Sequence, residues 1–375
     1  MRKFFFKLHL WLGLASGIVV FIVCITGCLY VFKDEITAIS KPWLKVESQE
    51  RATLKPTELT SIAAKAVSNS QPSAITYGEK TDAVWVDLNE NQSGTFSTVY
   101  LNPYTGKILH ISKKELGEFD FFDFLLKGHT SLWLPRSVGK TIVGYGVLLF
   151  LITLITGLLI WYPKRWSRKI LKNKFVFHRP LRAKRLMLDL HSILGMYILI
   201  PLISASFTGL IFAFDWFSSG VYAVMSGGKE LVEYEMPKSD SFVNQTSENT
   251  VDIVYKRITM EEPNAVQVYY ALPQSDSDVL RVSVVHEKGS YYKQDNRFFE
   301  KDTAKEIFGR GVYTGRYNEK TFAEKAIRMN LDIHEGRIFG FFGKIVMCIA
   351  SFFGASLPIT GLLLYIRRKK VRIRD

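Results

Sequence analysis

The sequence predicts a membrane α-helical protein: a four-helix transmembrane bundle arising from a tandem duplication, with two extracytoplasmic α+β modules. Three observations carry this reading. The 375 residues are 47% apolar, 14% aromatic and only 22% charged, a balance that excludes disordered and collagen-like chains. The apolar residues are concentrated in four uninterrupted blocks, at about residues 10–32, 138–162, 190–216 and 338–366. Each has the roughly 20 residues that a helix needs to cross ~30 Å of hydrocarbon. The landmarks of the first two blocks then recur, in order, in the last two.

Charge sets the direction of the blocks. The segment 163–185 carries ten Lys or Arg and no acid, which marks it as cytoplasmic by the positive-inside rule. The tail, with Arg367, Arg368, Lys369, Lys370, Arg372 and Arg374, and the start, with Arg2, Lys3 and Lys7, agree. Together these segments hold nineteen basic residues against one acid, Asp375, leaving thirty basic and thirty-four acidic residues elsewhere. The net charge of +14 is therefore a topology signal, and no nucleic-acid partner is expected. The expected order is transmembrane helix 1 at 1–32, an external module with the approach to the next span at 33–136, helix 2 at 137–163 and a basic cytoplasmic loop at 164–185. Helix 3 follows at 186–216, a second external module at 217–336, helix 4 at 337–366 and a basic cytoplasmic tail at 367–375. The protein is multi-pass with both termini cytoplasmic.

The first block admits another reading, since residues 1–28 have the shape of a secretory signal and Ile25-Thr26-Gly27-Cys28 resembles a lipoprotein cleavage site. The repeat argues for a retained span. Leu8-His9, Gly13 and Thr26-Gly27 match Leu190-His191, Gly195 and Thr208-Gly209, with Leu210 where Cys28 stands. Beyond that span, residues 58–67 read as an amphipathic helix capped by Thr57. Strands follow at 73–77, 83–88 and 96–101, leading into the turn Asn102-Pro103-Tyr104-Thr105-Gly106. The second span opens behind His129 and carries Gly139-Lys140 and Thr156-Gly157; the fourth opens behind His334 and carries Gly343-Lys344 and Thr360-Gly361. The halves thus cover about 1–170 and 183–370, each reading span, external domain, span. The second external domain is looser, with a helix at 251–258 and strands at 265–271, 279–285 and 290–298. Neither domain offers a nucleophile, metal cluster or phosphate loop, so no side chain is assigned a catalytic role.

Four of the seven histidines stand at the mouth of one span each: His9 and His191 at the cytoplasmic side, His129 and His334 at the outer side. Two neutral imidazoles facing across a bundle are the axial ligands of a haem b, so two haems per chain are expected; ionisable residues at spans default to a functional reading. Gly13 and Gly195 follow His9 and His191 by four residues and leave room for a flat macrocycle. Lys7, Lys184 and Arg185 inside, and Arg136, Lys140, Arg337 and Lys344 outside, suit its propionates. The competing reading is interfacial histidines with small-residue helix packing. That account suffices for one histidine, and four in matched pairs favour haem. His110, His178 and His286 have no partner in register and read as surface residues. Cys24 and Cys28, four apart on one helix face, read as packing residues, and the three cysteines form no disulfide framework.

These features resemble the PepSY-associated transmembrane family, which includes inner-membrane siderophore reductases. The resemblance rests on the His-x-x-x-Gly openings at His9 and His191, the Thr-Gly pair in each span, and Asn102-Pro103-Tyr104-Thr105-Gly106-Lys107, a turn of PepSY modules. The second external module departs from that turn with Glu300-Lys301-Asp302-Thr303-Ala304-Lys305. The resemblance implies two PepSY-like modules and a haem b protein of the bacterial cytoplasmic (inner) membrane. Such a protein would be an oxidoreductase passing electrons outward to a ferric siderophore or other ferric chelate for iron acquisition. No GxGxxG fingerprint appears, so a separate cytoplasmic reductase or a quinol is expected as electron donor. The alternative class is a non-enzymatic membrane anchor whose modules bind a partner or assist metal or siderophore uptake. A secondary transporter fits less well, because no acidic or broken-helix ion site is expected at mid-depth.

Overall fold

The computed structural model describes residues 1–90, 95–115, 117–177, 183–239 and 249–372. His178, Arg179, Arg182 and the Lys184 side chain of the basic loop, and Arg374 and Asp375 of the tail, lie outside the described residues. In chain order the principal elements are α1 (Arg2–Tyr30), α2 (Pro56–Ala66), β1 (Ser70–Tyr77), β2 (Val84–Glu90), β3 (Phe96–Leu101), β4 (Ile108–Lys114), α3 (Phe121–Ser131) and α4 (Arg136–Trp161). Then come α5 (Leu199–Ala213), α6 (Thr250–Glu261), β5 (Gln267–Ala271), β6 (Leu280–Val285), β7 (Gln294–Phe299), β8 (Glu306–Ile307), α7 (Asn330–His334) and α8 (Gly340–Arg372). They fall into two compact units. One comprises Met1–Asp34, Phe119–Val221 and Asn330–Asp375; the other comprises Glu35–Glu118 and Tyr222–Met329.

In the helical unit, α1, α4 and the stretch Arg337–Arg367 are long and apolar enough to cross a membrane. The 29 residues of α1 reach ~43 Å at 1.5 Å per residue. Trp11, Ile18 and Phe352 lie exposed on these helices, surface that suits lipid tails rather than water. All four apolar segments feed one core, through Val20 and Cys24 of α1, Phe150 and Leu154 of α4, Leu199 and Leu202 of α5, and Ala350, Ala355 and Leu357 of α8. Lipid is as apolar as leucine, so this core depends on close packing rather than on exclusion of water. Gly146 of α4 shows how close: a Cβ there would stand 2.6 Å from Val19 Cγ1 on α1.

The third apolar segment departs from the uninterrupted helix that its composition suggests. Arg185–Tyr197 and Leu199–Ala213 meet at an angle of 65°, with Ile198 at the break. Pro201, in the first turn of α5, supplies the reason: it lacks an N–H, and its ring collides with the carbonyl four residues back in a continuous helix. The third segment therefore contains a helix break, and apolar Ile198 stands at it.

The second unit holds one antiparallel sheet of eight strands in the order β4-β3-β2-β1-β5-β6-β7-β8. The two modules read from the sequence are thus joined. β1 pairs directly with β5, placing Ala74 opposite Ala271 and Ile75 opposite Tyr270. Alternation explains the strands, as in β6, where every second residue from Leu280 is buried. Leu59 and Ala63 of α2 and Val254 and Ile258 of α6 pack with Ile75, Val86, Val282 and Val284 of the sheet in one core. Thr57 does not cap α2. Lys55 precedes Pro56 at the N-terminus, and its backbone N–H donates to the Glu58 carboxylate at 2.8 Å. The Thr57 hydroxyl instead donates to Asp252 Oδ2 of α6 at 2.6 Å, tying the two helices together.

Near the β7–β8 end, the Arg297 side chain is fully buried and bonds Glu261 at 2.6 Å and Glu306 at 2.7 Å. Burial acts most strongly on Glu306 and pushes its carboxyl up. The hydrogen bonds and charge of Arg297 outweigh it, and the pKa is held below the usual carboxylate value. Glu261 is lowered in the same way against its own burial, through Arg257 and Arg297.

Candidate functional site: two histidine pairs

Each of the four repeat histidines is delivered by a different local device. His9 lies on α1 itself. His129 ends α3, a helix capped by Asp120, whose carboxylate accepts from the Asp123 N–H at 2.7 Å. The chain then reverses through Leu132 and Trp133, both with positive φ, and the Trp133 indole N–H donates back to the Phe124 carbonyl at 2.8 Å. His191 sits in a wide π-turn over Leu190–Leu194, a local geometry frequent at functional sites. His334 ends α7, which Asn330 holds to α5 by donating to the Thr208 carbonyl at 3.1 Å. His129 and His334 therefore stand on short helices of their own, set off from the spans by turns, rather than on the first turns of α4 and α8.

The structure brings these residues together two by two. The rings of His9 and His191 lie 6.0 Å apart at 82°, and those of His129 and His334 5.9 Å apart at 69°. From His9 to Val23, against which His129 rests, α1 advances ~21 Å, so the pairs occupy opposite ends of the helical stack.

One seat recurs four times, built from the Thr-Gly pair of another segment. His9 Nδ1 donates to the Thr153 carbonyl at 2.9 Å, with Thr156 Oγ1 at 3.5 Å. His129 Nδ1 donates to the Val23 carbonyl at 2.9 Å, three residues before Thr26. His191 Nδ1 lies 3.0 Å from Thr360 Oγ1 and His334 Nδ1 2.8 Å from Thr208 Oγ1. Every one of these threonines directs its own hydroxyl hydrogen to its helix backbone, most closely to the carbonyl four residues back, at 2.7 Å for Thr26, 2.9 Å for Thr156, 2.7 Å for Thr208 and 2.9 Å for Thr360. The hydroxyl oxygens are thus acceptors toward the rings, as the carbonyls are. All four histidines are thereby assigned a proton on Nδ1, which leaves the Nε2 lone pair as the donor atom for a metal.

The glycine of each pair gives the ring its space. A Cβ at Gly27 would stand 2.8 Å from His129 Cε1, at Gly157 3.0 Å from His9 Cε1, at Gly361 3.3 Å from His191 Cε1 and at Gly209 3.6 Å from His334 Cε1. This work falls to the Thr-Gly glycines rather than to Gly13 and Gly195. A Cβ at Gly13 would meet Thr153 Cγ2 at 3.4 Å, and one at Gly195 would meet Leu357 Cδ2 at 3.4 Å, so those two glycines set helix separation.

The basic residues at the mouths divide. Arg136 is exposed at the start of α4. Arg337, with its side chain 7% exposed, is engaged by Asp34 at 2.7 Å and by Glu335; carboxylates of the chain hold the guanidinium that the sequence offered to a propionate. Burial pushes the Glu335 carboxyl above its usual value, against the pull of Arg337. Lys344 is buried with its ammonium 5.8 Å from the Phe32 ring centre, and Arg185 pairs with Asp189 at 2.8 Å. Sequence reasoning missed that Asp189 and Asp332, both buried, stand two residues ahead of His191 and His334. The shared Asp-x-His spacing was the available signal. His110 stacks on Trp43 at 3.8 Å and His286 lies 3.0 Å from Asp295, both within the sheet unit.

Apolar spans together with a folded sheet outside the bilayer define a helical membrane protein with an extramembrane part. The chain belongs to the PepSY-associated TM region family, matching its pattern over residues 6–368. No curated protein matches the sequence.

Proposed function

We propose that the chain is a transmembrane haem b electron-transfer protein, an oxidoreductase that reduces a ferric siderophore or other ferric chelate on the periplasmic side of the bacterial inner membrane. The observation that carries this reading is the four-fold repetition of one histidine seat, which fixes the Nδ1 proton and presents two imidazoles to each other at either end of the stack. The donor set suits haem. A structural zinc ion takes four protein ligands, and among the described residues no group of three or more His, Cys, Asp or Glu could hold an ion. A macrocycle that brings its own equatorial nitrogens needs only the two axial ones. His9 with His191 would hold one haem b and His129 with His334 the other; when bound, the group supplies one-electron transfer.

The chain's own part is to orient the rings, fix their tautomer and surround them with apolar helices. In this reading the four apolar segments form an antiparallel bundle from two duplicated halves, with both termini cytoplasmic. The loop charges support the orientation. The sheet supports the duplication, since each half contributes four strands running outward in order from β1 and β5. Electrons enter from a cytoplasmic reductase or a quinol and leave to the ferric substrate outside. Reduction releases the iron because hard oxygen ligands favour the more highly charged ion.

The test is reoxidation of chemically reduced protein in oriented vesicles by a ferric siderophore added at the outer face. Wild type is expected to be reoxidised, and His334→Ala, retaining His9 and His191, to react far more slowly. Equal rates would overturn the outer pair as the delivery site. Wild type lacking a haem spectrum would favour the membrane-anchor reading.

A further inference from the structure

Beyond the histidine pairs, we propose that Cys28 of α1 and Cys348 of α8 are a redox-active thiol pair that closes into a disulfide, stapling the two helices beside the outer histidines. Their Sγ atoms lie 2.8 Å apart across 320 residues of sequence, nearer than the ~3.5–4.0 Å optimum of unbonded heavy atoms. Two thiolates sharing one zinc ion at about 2.3 Å each would be held roughly 3.7 Å apart, so the spacing suits a covalent bridge and not a shared metal. Both residues are partly exposed, whereas Cys24, one turn earlier, is buried in the core.

The position gives the bridge a consequence. Cys28 follows Gly27, whose Cα carries the contact surface for His129, so closing the bridge fixes the α1 wall of the outer pair against α8. The oxidant named here is a hydroperoxide. One thiol takes an oxygen atom from the peroxide to give a sulfenic acid and an alcohol or water; the second thiol then displaces water and the S–S bond forms. Two electrons and two protons leave the thiol pair in all, and a dithiol reductant returns them. The orientation proposed above would put this pair toward the oxidising compartment, where such bonds persist.

The full-length protein in detergent is treated with hydrogen peroxide, denatured, and tagged at free thiols with a maleimide polymer. Reduced wild type, with its three cysteines, is expected to take three tags, to take one after peroxide, and to regain three with dithiothreitol. Cys24→Ser should fall from two tags to none, reversibly. Cys28→Ser and Cys348→Ser should each keep two. The proposal is overturned if wild type keeps three tags, if either of those two variants also loses tags, or if the loss is not reversed. Thiol counting does not read haem, so this result and the test of the electron-transfer reading stand or fall separately.

Discussion

At the scale of single residues, the seat of each histidine makes a graded prediction. Gly27→Ala would place a methyl 2.8 Å from the His129 ring, and Gly157→Ala one 3.0 Å from His9, whereas Gly209→Ala would make an ordinary contact of 3.6 Å with His334. Overpacking of the first kind costs about 1–3 kcal/mol and is relieved most easily by turning the ring. Gly27→Ala and Gly157→Ala are therefore expected each to lose one haem, measured by absorbance of the purified protein, and Gly209→Ala to keep both. Loss in Gly209→Ala with retention in Gly27→Ala would contradict the geometry. The histidines and the Thr-Gly pairs were both legible in the sequence, because each recurs in register. Which glycine serves which ring was not, since the seat for His9 is built 144 residues away and that for His129 106 residues away. The same limit hid the engagement of Arg337 by Asp34.

Secondary-structure elements bring a different balance of forces into play at the β7–β8 end of the sheet. Removing Arg297, as Arg297→Met, takes away the buried guanidinium while Glu261 and Glu306 keep Arg257 and Arg316, so the cost falls below the about 3–5 kcal/mol of a buried pair broken outright. Hydrogen exchange of β6 to β8 should accelerate in that variant while α1 and α4 stay protected; unchanged exchange would assign the network no role in stability. The pH dependence follows from the lowered carboxyls. A folded pKa below the unfolded one adds stability that is present above about 4.5 and lost as pH falls through the folded value. Exchange in these strands is thus expected to rise below about pH 4.5 in wild type and to be less pH-sensitive in Arg297→Met. The strands β1 to β3 and β5 to β7 were visible in the sequence near their true positions as short runs bounded by turn residues, although of these only β6 and, from Val84 to Asn89, β2 bury strictly every second residue. β4 carries Lys113 and Lys114 at its end and β8 has only two residues, so neither shows a buried-face period. The union of two modules into one sheet depends on β1 meeting β5, a pairing with no local signal.

For the whole molecule, the charge distribution predicts orientation. A reporter active only outside the membrane should give signal when fused after Gly228 and none when fused after Lys174; the reverse pattern would invert the direction of electron flow. The spans were legible because lipid imposes length and composition on a helix. The 65° bend of the third was not read, although Pro201 marks it. The central claim is that four histidines hold two haems, paired His9 with His191 and His129 with His334. The most direct measurement is a pyridine haemochrome count per chain for wild type, His9→Ala, His334→Ala, the double variant, and the sheet-unit controls His110→Ala and His286→Ala. Two haems are expected in wild type and in both controls, one in each single variant and none in the double variant. Two haems retained by a folded double variant, or none in wild type, would contradict the account.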